Sequence, residues 1–331
     1  MKEQLIVKNL PFIKILPAWA QELSYKYCSK TANLYLLHGN IRDFLPHKMN
    51  EGEFLFVKIQ EYVSEVLFGN RDVIAFYDRS SGVSFCEKQM ERDYLAAMRS
   101  RRPDDQDSDF LSNDPNKSFA YLEEYFLTLI PQKKRVVLII DYAETVAPAS
   151  EVSRLSEEDR YCFVTLNRWS HEPVFTRGDV SIILLTENMT DLNPRLSASP
   201  SAVKVEIPIP DETVRCQFLR FLETKGQLLL DKGLGPDRIA ALASGLNLTN
   251  LNRLAAESWQ EDRPISLEYM RLKKKEIIEA EAGGLLEFLE TEHDLSYVSG
   301  HEFVKRRLKS ASRAIKQGRL DVLPMGYLIA G

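Results

Sequence analysis

The chain has 331 residues, of which 43 are basic and 48 acidic, so its formal net charge is −5 and its pI is about 5.7. This acidic balance gives no support to a general nucleic-acid-binding protein. Hydrophobic residues make up 44% of the chain and charged residues 27%, which is typical of a globular protein of about two domains.

The cysteines and the N-terminus indicate the cellular compartment. The four cysteines are far apart and lack Cys-x-x-Cys spacing, which favours a reducing compartment over a disulfide framework or a zinc site. Residues 1–17 mix lysines and prolines into apolar sequence, unlike a secretory signal. No apolar run approaches the roughly 20 residues of a membrane span. We therefore expect a cytoplasmic protein without a membrane partner.

In chain order, residues 1–32 are predicted to form an N-terminal arm and a helix. Over residues 33–210, strand patterns alternate with helical patterns, which predicts an α/β domain with a five-stranded parallel sheet and helices on both faces. The predicted strands are residues 33–39, 72–78, 135–141, 179–186 and 202–209. The predicted helices between them are residues 54–68, 86–99, 119–130 and 156–169. The polar segment 101–118 predicts an exposed, mobile loop.

From Asp211 onwards the pattern becomes helical. Helices are predicted at residues 211–225, 236–244, 249–259 and 266–280, which indicates a small all-α lid domain over residues 211–292. Residues 293–331 then repeat the order of the chain's beginning, with an amphipathic helix at 300–317 before an apolar strand at 326–330. We expect them to open a second α/β module. The alternative is a C-terminal strand that joins the first sheet.

The strand at 135–141 is apolar until it ends at Asp141, and Glu144 follows three residues later. A buried parallel strand that brings a carboxylate to the edge of a sheet is typical of a Mg²⁺–nucleotide site. Such a site needs a phosphate-binding loop upstream, with the pattern Gly-x-x-x-x-Gly-Lys-Ser/Thr. An aspartate at this position can also act simply as a helix cap or a turn former.

The phosphate-binding loop is degenerate in this chain. Its glycines would let backbone N–H groups wrap the phosphates, its lysine would neutralise their oxygens, and its hydroxyl would hold Mg²⁺. With the first glycine aligned on Gly39, the second glycine, the lysine and the hydroxyl are replaced by Phe44, Leu45 and Pro46. None of the 15 glycines is followed by lysine. We therefore expect ATP and Mg²⁺ to bind weakly or not at all.

Three segments carry a family resemblance when they are taken in order. They are RVVLIIDYAE at 135–144, VSIILLTENMTDLNPRL at 180–196 and VKVEIPIPDETVRCQFLRFL at 203–222. Their order resembles the acidic strand, the sensor strand and the short strand leading into a helical lid in the AAA+ ATPases. The resemblance covers about residues 30–280 and implies the degenerate first module of a tandem AAA+ protein, cut just before the phosphate loop of its second module.

The resemblance implies roles for individual residues. Gly39 matches the first glycine of the phosphate loop, Asp141 matches the Walker B aspartate that holds Mg²⁺ through water, and Asn188 matches the polar sensor residue. In this family a glutamate that polarises the attacking water usually follows the aspartate directly. Here Tyr142 stands at that position and Glu144 is displaced by two residues, which argues against hydrolysis.

Arg195 lies in the stretch where AAA+ proteins carry an arginine finger for a neighbouring subunit. A surface contact is the simpler role for Arg195, and a loop cap is the simpler role for Asn188. The family in general uses ATP and Mg²⁺ and assembles with other AAA+ subunits, so the resemblance implies a homo-oligomeric ring and an unidentified protein client.

Three functions are compatible with these patterns. The first is a non-hydrolysing ring-building or regulatory module of a larger ATP-driven remodelling or assembly machine whose active ATP site lies beyond residue 331. The second is a self-contained interaction scaffold on an AAA+-like fold with no nucleotide role. The third, a metal-dependent nuclease using Asp141 and Glu144, is disfavoured because the only Glu-x-Lys, residues 223–225, lies in a predicted helix.

Overall fold

Two β-sheets are present in the described part of the computed structural model, which comprises residues 13, 15–30, 32–49, 53–281 and 295–316. The strands are β1 (Leu34–Gly39), β2 (Leu45–Lys48), β3 (Phe54–Val57), β4 (Val73–Asp78), β5 (Gly82–Phe85), β6 (Val136–Ile140), β7 (Val180–Thr186) and β8 (Ala202–Ile207). Six of them form one sheet in the order β5-β4-β6-β7-β1-β8, while β2 and β3 form an antiparallel hairpin.

The α/β fold and the five parallel strands predicted from the sequence are confirmed. Strands β1, β4, β6, β7 and β8 pair with one another only in the parallel sense, and Leu36 of β1 lies opposite Leu184 of β7 and Lys204 of β8. The sixth strand, β5, was not predicted. It is an antiparallel edge strand that pairs with β4.

Helices surround the sheet and then continue as a helical region. They are α1 (Ala18–Cys28), α2 (Ile59–Glu61) with its π-helical continuation Tyr62–Leu67, α3 (Lys88–Arg101), α4 (Asp107–Phe110), α5 (Pro115–Leu129), α6 (Glu157–Trp169), α7 (Pro173–Thr176), α8 (Pro194–Ser197), α9 (Glu212–Thr224), α10 (Pro236–Leu242), α11 (Leu248–Gln260), α12 (Leu267–Glu281) and α13 (Glu302–Lys316).

The core lies on both faces of the sheet. Strands β6 and β7 are buried along their whole length, as expected for parallel strands covered by helices on each side. On one face, α3, α5 and α6 contribute Tyr94, Phe126 and Trp169. On the other face, α1 and the helix that follows β3 contribute Trp19 and Tyr62, whose ring centroids are 5.3 Å apart.

Two local predictions are wrong. The segment 54–68 was predicted to be one helix, but its first four residues form β3, because they pair with β2 in a way that an apolar pattern cannot indicate. The segment 101–118 was predicted to be an exposed loop, but Phe110 in it is fully buried and its carbonyl accepts a hydrogen bond of 2.9 Å from the hydroxyl of Tyr94. The buried Phe110 side chain therefore packs this polar segment against the core.

A helical domain of α9, α10, α11 and the first part of α12 follows β8. Aspartate and asparagine side chains start its longer helices: Asp211 accepts a hydrogen bond of 2.8 Å from Val214 N, and Asn247 accepts one of 2.7 Å from Asn250 N. Such caps satisfy backbone donors that have no partner within the helix. The predicted succession of helices is present.

The chain divides into two units, residues 1–274 and 275–331, which are described separately. In the second unit, α13 carries the amphipathic pattern predicted for residues 300–317, with Phe303 and Val304 exposed. The predicted strand at 326–330 lies outside the described residues, as does the predicted domain boundary at 292/293. No helix in the described ranges is long and apolar enough to cross a membrane.

Candidate functional site

Asp141 follows β6 directly and lies at the carboxyl edge of the sheet. The Arg42 Nη1 atom is 2.8 Å from its carboxylate, the Gln60 side-chain amide donates to it at 2.8 Å, and the backbone N–H of Tyr142 donates at 2.7 Å. The Asp141 side chain is only 9% exposed. Both carboxylate oxygens are therefore engaged by donors from the protein itself.

Arg42 comes from the loop after β1 and makes the central contact of this site. Its guanidinium lies 3.9 Å from the centroid of the exposed Tyr142 ring, and its Nε atom is 3.3 Å from Glu187 Oε1. Burial by itself would lower the pKa of Arg42, but the hydrogen bond and the charge of Asp141 outweigh it and raise the pKa. The residue is a fixed cation between two carboxylates.

Strand β1 ends at Gly39, whose φ is +92°, and the loop follows it. A Cβ atom there would lie 2.7 Å from the carbonyl oxygen of Ile207, so only glycine fits. The Gly39 N–H donates to Glu187 O at 3.0 Å, and the Asn40 N–H donates to Ile207 O at 2.9 Å. These amides are used to extend the sheet, and the chain then enters the β2–β3 hairpin rather than a helix.

Asp43, in the same loop, binds the N-terminus of α11 in the helical domain. Its carboxylate accepts hydrogen bonds from Leu248 N at 2.9 Å, from Thr249 N at 2.7 Å and from the Thr249 hydroxyl at 3.0 Å. The Asn40 side-chain amide donates to it at 2.9 Å. Asp43 is 1% exposed, so it is a buried carboxylate that caps a helix about two hundred residues further along the chain.

Aromatic rings join the same loop and hairpin to α9. The Phe44 ring stacks on Phe218 with centroids 5.7 Å apart, and Phe56 of β3 lies 4.9 Å from Phe218 and 5.1 Å from Phe221. The ammonium group of Lys58 lies 3.8 Å from the centroid of Phe44. The segment that stands in place of a phosphate-binding loop thus contacts both the sheet edge and the helical domain.

The structure brings two of the predicted site residues, Gly39 and Asp141, to this edge. Glu144 lies in a 3₁₀ turn, and its Oε2 atom is buried without a hydrogen-bond partner among the described residues. Asn188 is exposed, and its side-chain amide donates to Asp191 at 3.2 Å. Arg195 is exposed on α8, where no hydrogen bond or ion pair joins its guanidinium to another described residue. These three residues lie outside the network around Asp141.

The residues that fill the site were not identified from the sequence. They are Arg42, Asp43, Gln60 and Glu187. The available signal was the charged pair Arg42–Asp43 in the loop just after Gly39. In addition, the described residues contain no group of three or more His, Cys, Asp or Glu side chains placed to hold a metal ion.

The parallel sheet, the carboxylate at the end of a central strand and the helical domain that follows are the arrangement that the sequence resemblance to AAA+ modules predicts. Two family descriptions match the chain: "AAA+ chaperone, N-terminal Rossmann-like domain" over residues 10–208 and "AAA+ chaperone, second helical domain" over residues 213–283. The chain therefore belongs to the AAA+ chaperone family, and the resemblance to AAA+ ATPases is confirmed. No curated protein matches the chain.

Proposed function

We propose that this chain is a non-hydrolysing AAA+ module that has a ring-building or regulatory role in a larger ATP-driven remodelling or assembly machine. The observation that carries the proposal is the guanidinium of Arg42, which lies 2.8 Å from Asp141. In an active module the equivalent aspartate would hold Mg²⁺ through water, so a fixed arginine at this carboxylate competes directly with the metal.

The surroundings of Asp141 support this proposal. Leu45, at the position of the phosphate-binding lysine, is buried in the core and offers no charge to a nucleotide. The Gly39 and Asn40 amides donate to Glu187 and Ile207, so they are not available to phosphate oxygens. Nucleotide entry would require these contacts to break and the hairpin to move. The residues present do not fit ATP and Mg²⁺, so we assign the module neither as a cofactor.

The residues at the positions that the family uses for ATP hydrolysis are consistent with a module that has lost this activity. Tyr142 stands where the catalytic glutamate would follow Asp141, and its ring is used to cover Arg42. We propose that Glu144 has no catalytic role and that Asn188 only stabilises its own loop, where its side-chain amide donates to Asp191. Arg195 is the exposed residue that we propose to face a neighbouring AAA+ subunit, in keeping with the family.

Phosphate release and sedimentation test the proposal together. We expect no turnover of ATP above buffer, the same result for Asp141→Asn, and a sedimentation coefficient that Mg²⁺ and ATP do not change. ATP turnover that Asp141→Asn abolishes would overturn the proposal.

Arg195→Glu tests the proposed subunit contact. We expect this variant to lose self-association, or association with ATP-hydrolysing AAA+ subunits. Failure of wild type to associate with either would favour a self-contained scaffold.

A further inference from the structure

Asp43 carries a second inference, which concerns the helical domain rather than hydrolysis. The residue belongs to the α/β domain, yet its carboxylate binds the first two backbone amides of α11 in the helical domain. Each oxygen is used: Oδ2 accepts from Leu248 N and from the Asn40 side chain, and Oδ1 accepts from the backbone N–H and the hydroxyl of Thr249.

A helix N-terminus attracts an anion because its first amides have no partner within the helix and the helix dipole is positive there. At α11 the chain supplies that anion from its own buried side chain. The Asn247 cap satisfies only the N–H of Asn250, so the amides of Leu248 and Thr249 depend on Asp43.

Apolar contacts join the same segment to the helical domain. Phe44 immediately follows Asp43 and stacks on Phe218 of α9, and Phe56 of the hairpin contacts Phe218 and Phe221. One segment therefore reaches two helices of the helical domain, with a carboxylate at α11 and aromatic rings at α9.

We infer that Asp43 is an internal anion that holds the helical domain against the α/β domain without any nucleotide. The arrangement of the two domains is then a fixed property of the fold. Taken together with the proposed function, on which this consequence rests, such a module would present an unchanging surface to its neighbours while ATP-hydrolysing subunits change shape around it.

Asp43→Ala tests this inference by hydrogen-exchange mass spectrometry, with formate as the probe for rescue. In the variant we expect the amides of residues 248 and 249 to exchange about tenfold faster, as the loss of a cap predicts. We also expect faster exchange in the hairpin at 54–57 and in α9, because the domains separate. Formate should restore slow exchange at all three places by occupying the vacated carboxylate position.

Asp211→Ala is the matched control, because Asp211 caps α9 from within the helical domain. We expect it to affect exchange near Val214 but not in the hairpin. If Asp43→Ala does not fold, Asp43→Asn keeps the size and one acceptor, and intermediate exchange rates are expected. The inference would be overturned if a folded Asp43 variant kept the wild-type exchange rate at residues 54–57, or if formate did not slow exchange in that variant. Because ATP is absent throughout, the result does not depend on the proposed function.

Discussion

At the residue scale, the Arg42 guanidinium lies 2.8 Å from the Asp141 carboxylate, where the proposed function has a side chain in place of a ligand. Hydrogen bonds to charged groups contribute about 1.5–3 kcal/mol each, and a buried polar group left without a partner costs about 1–3 kcal/mol, or more when it is charged. Asp141 is nearly buried, whereas Arg42 is one-third exposed, so solvent screens the cation more than the anion. Removing Arg42 therefore destabilises the fold mainly because the Asp141 carboxylate stays buried with fewer hydrogen-bond donors.

Arg42→Ala should lower the free energy of unfolding by about 2 kcal/mol, because it leaves Asp141 with only the Gln60 and Tyr142 donors. Urea denaturation followed by tryptophan fluorescence measures this change. Arg195→Ala is the control: its side chain is exposed, and we expect a change within about 0.5 kcal/mol. Equal effects of the two substitutions would contradict the role given to Arg42.

Gly39→Ala should be more destabilising than the same change at Gly226. Both glycines have positive φ, +92° and +66°, so each substitution carries a backbone cost of about 1 kcal/mol. A Cβ at Gly39 would also lie 2.7 Å from the Ile207 carbonyl, while Gly226 has no atom within 4 Å of such a Cβ. We expect the Gly39 variant to lose at least about 1 kcal/mol more in thermal unfolding. An equal loss of stability in the two variants would show that the close approach of Gly39 to the Ile207 carbonyl does not matter for stability.

At the element scale, strands β6 and β7 could be predicted because they are buried along their whole length and therefore read as continuous apolar runs. The hairpin could not. Phe54–Val57 is a short apolar run that suits a helix or a strand, and its partner is Leu45–Lys48, where proline, histidine and lysine obscure any strand pattern. Only the pairing of β3 with β2 decides between a helix and a strand, and a local sequence pattern does not contain that pairing.

The hairpin should stabilise the molecule through one of its faces. Phe56 contacts Phe218 and Phe221, whereas its neighbour Leu55 points to the other face and is 42% exposed. We expect Phe56→Ala to lower the free energy of unfolding by about 2 kcal/mol, from lost burial and aromatic contact. Leu55→Ala should change it by less than about 0.5 kcal/mol. The same denaturation experiment compares them, and a larger loss for Leu55→Ala would exclude the packing described.

At the scale of the whole molecule, the sequence could show that a phosphate-binding loop is missing but not what takes its place. Gly39 and Asp141 were predictable because each ends a recognisable strand. The contact between Arg42 and Asp141 joins residues 99 positions apart, and that between Asp43 and Thr249 joins residues 206 positions apart. Such pairs depend on the tertiary fold, so no spacing rule along the chain reveals them.

We propose that side chains of this module occupy the place of ATP and Mg²⁺. Calorimetric titration of the folded chain with ATP in the presence of Mg²⁺ tests this proposal. Because Arg42 engages Asp141 and Leu45 replaces the lysine, we expect no binding heat and a Kd weaker than about 1 mM. Asp141→Asn should give the same flat titration. A Kd in the low micromolar range for the wild type, lost in Asp141→Asn, would contradict the claim.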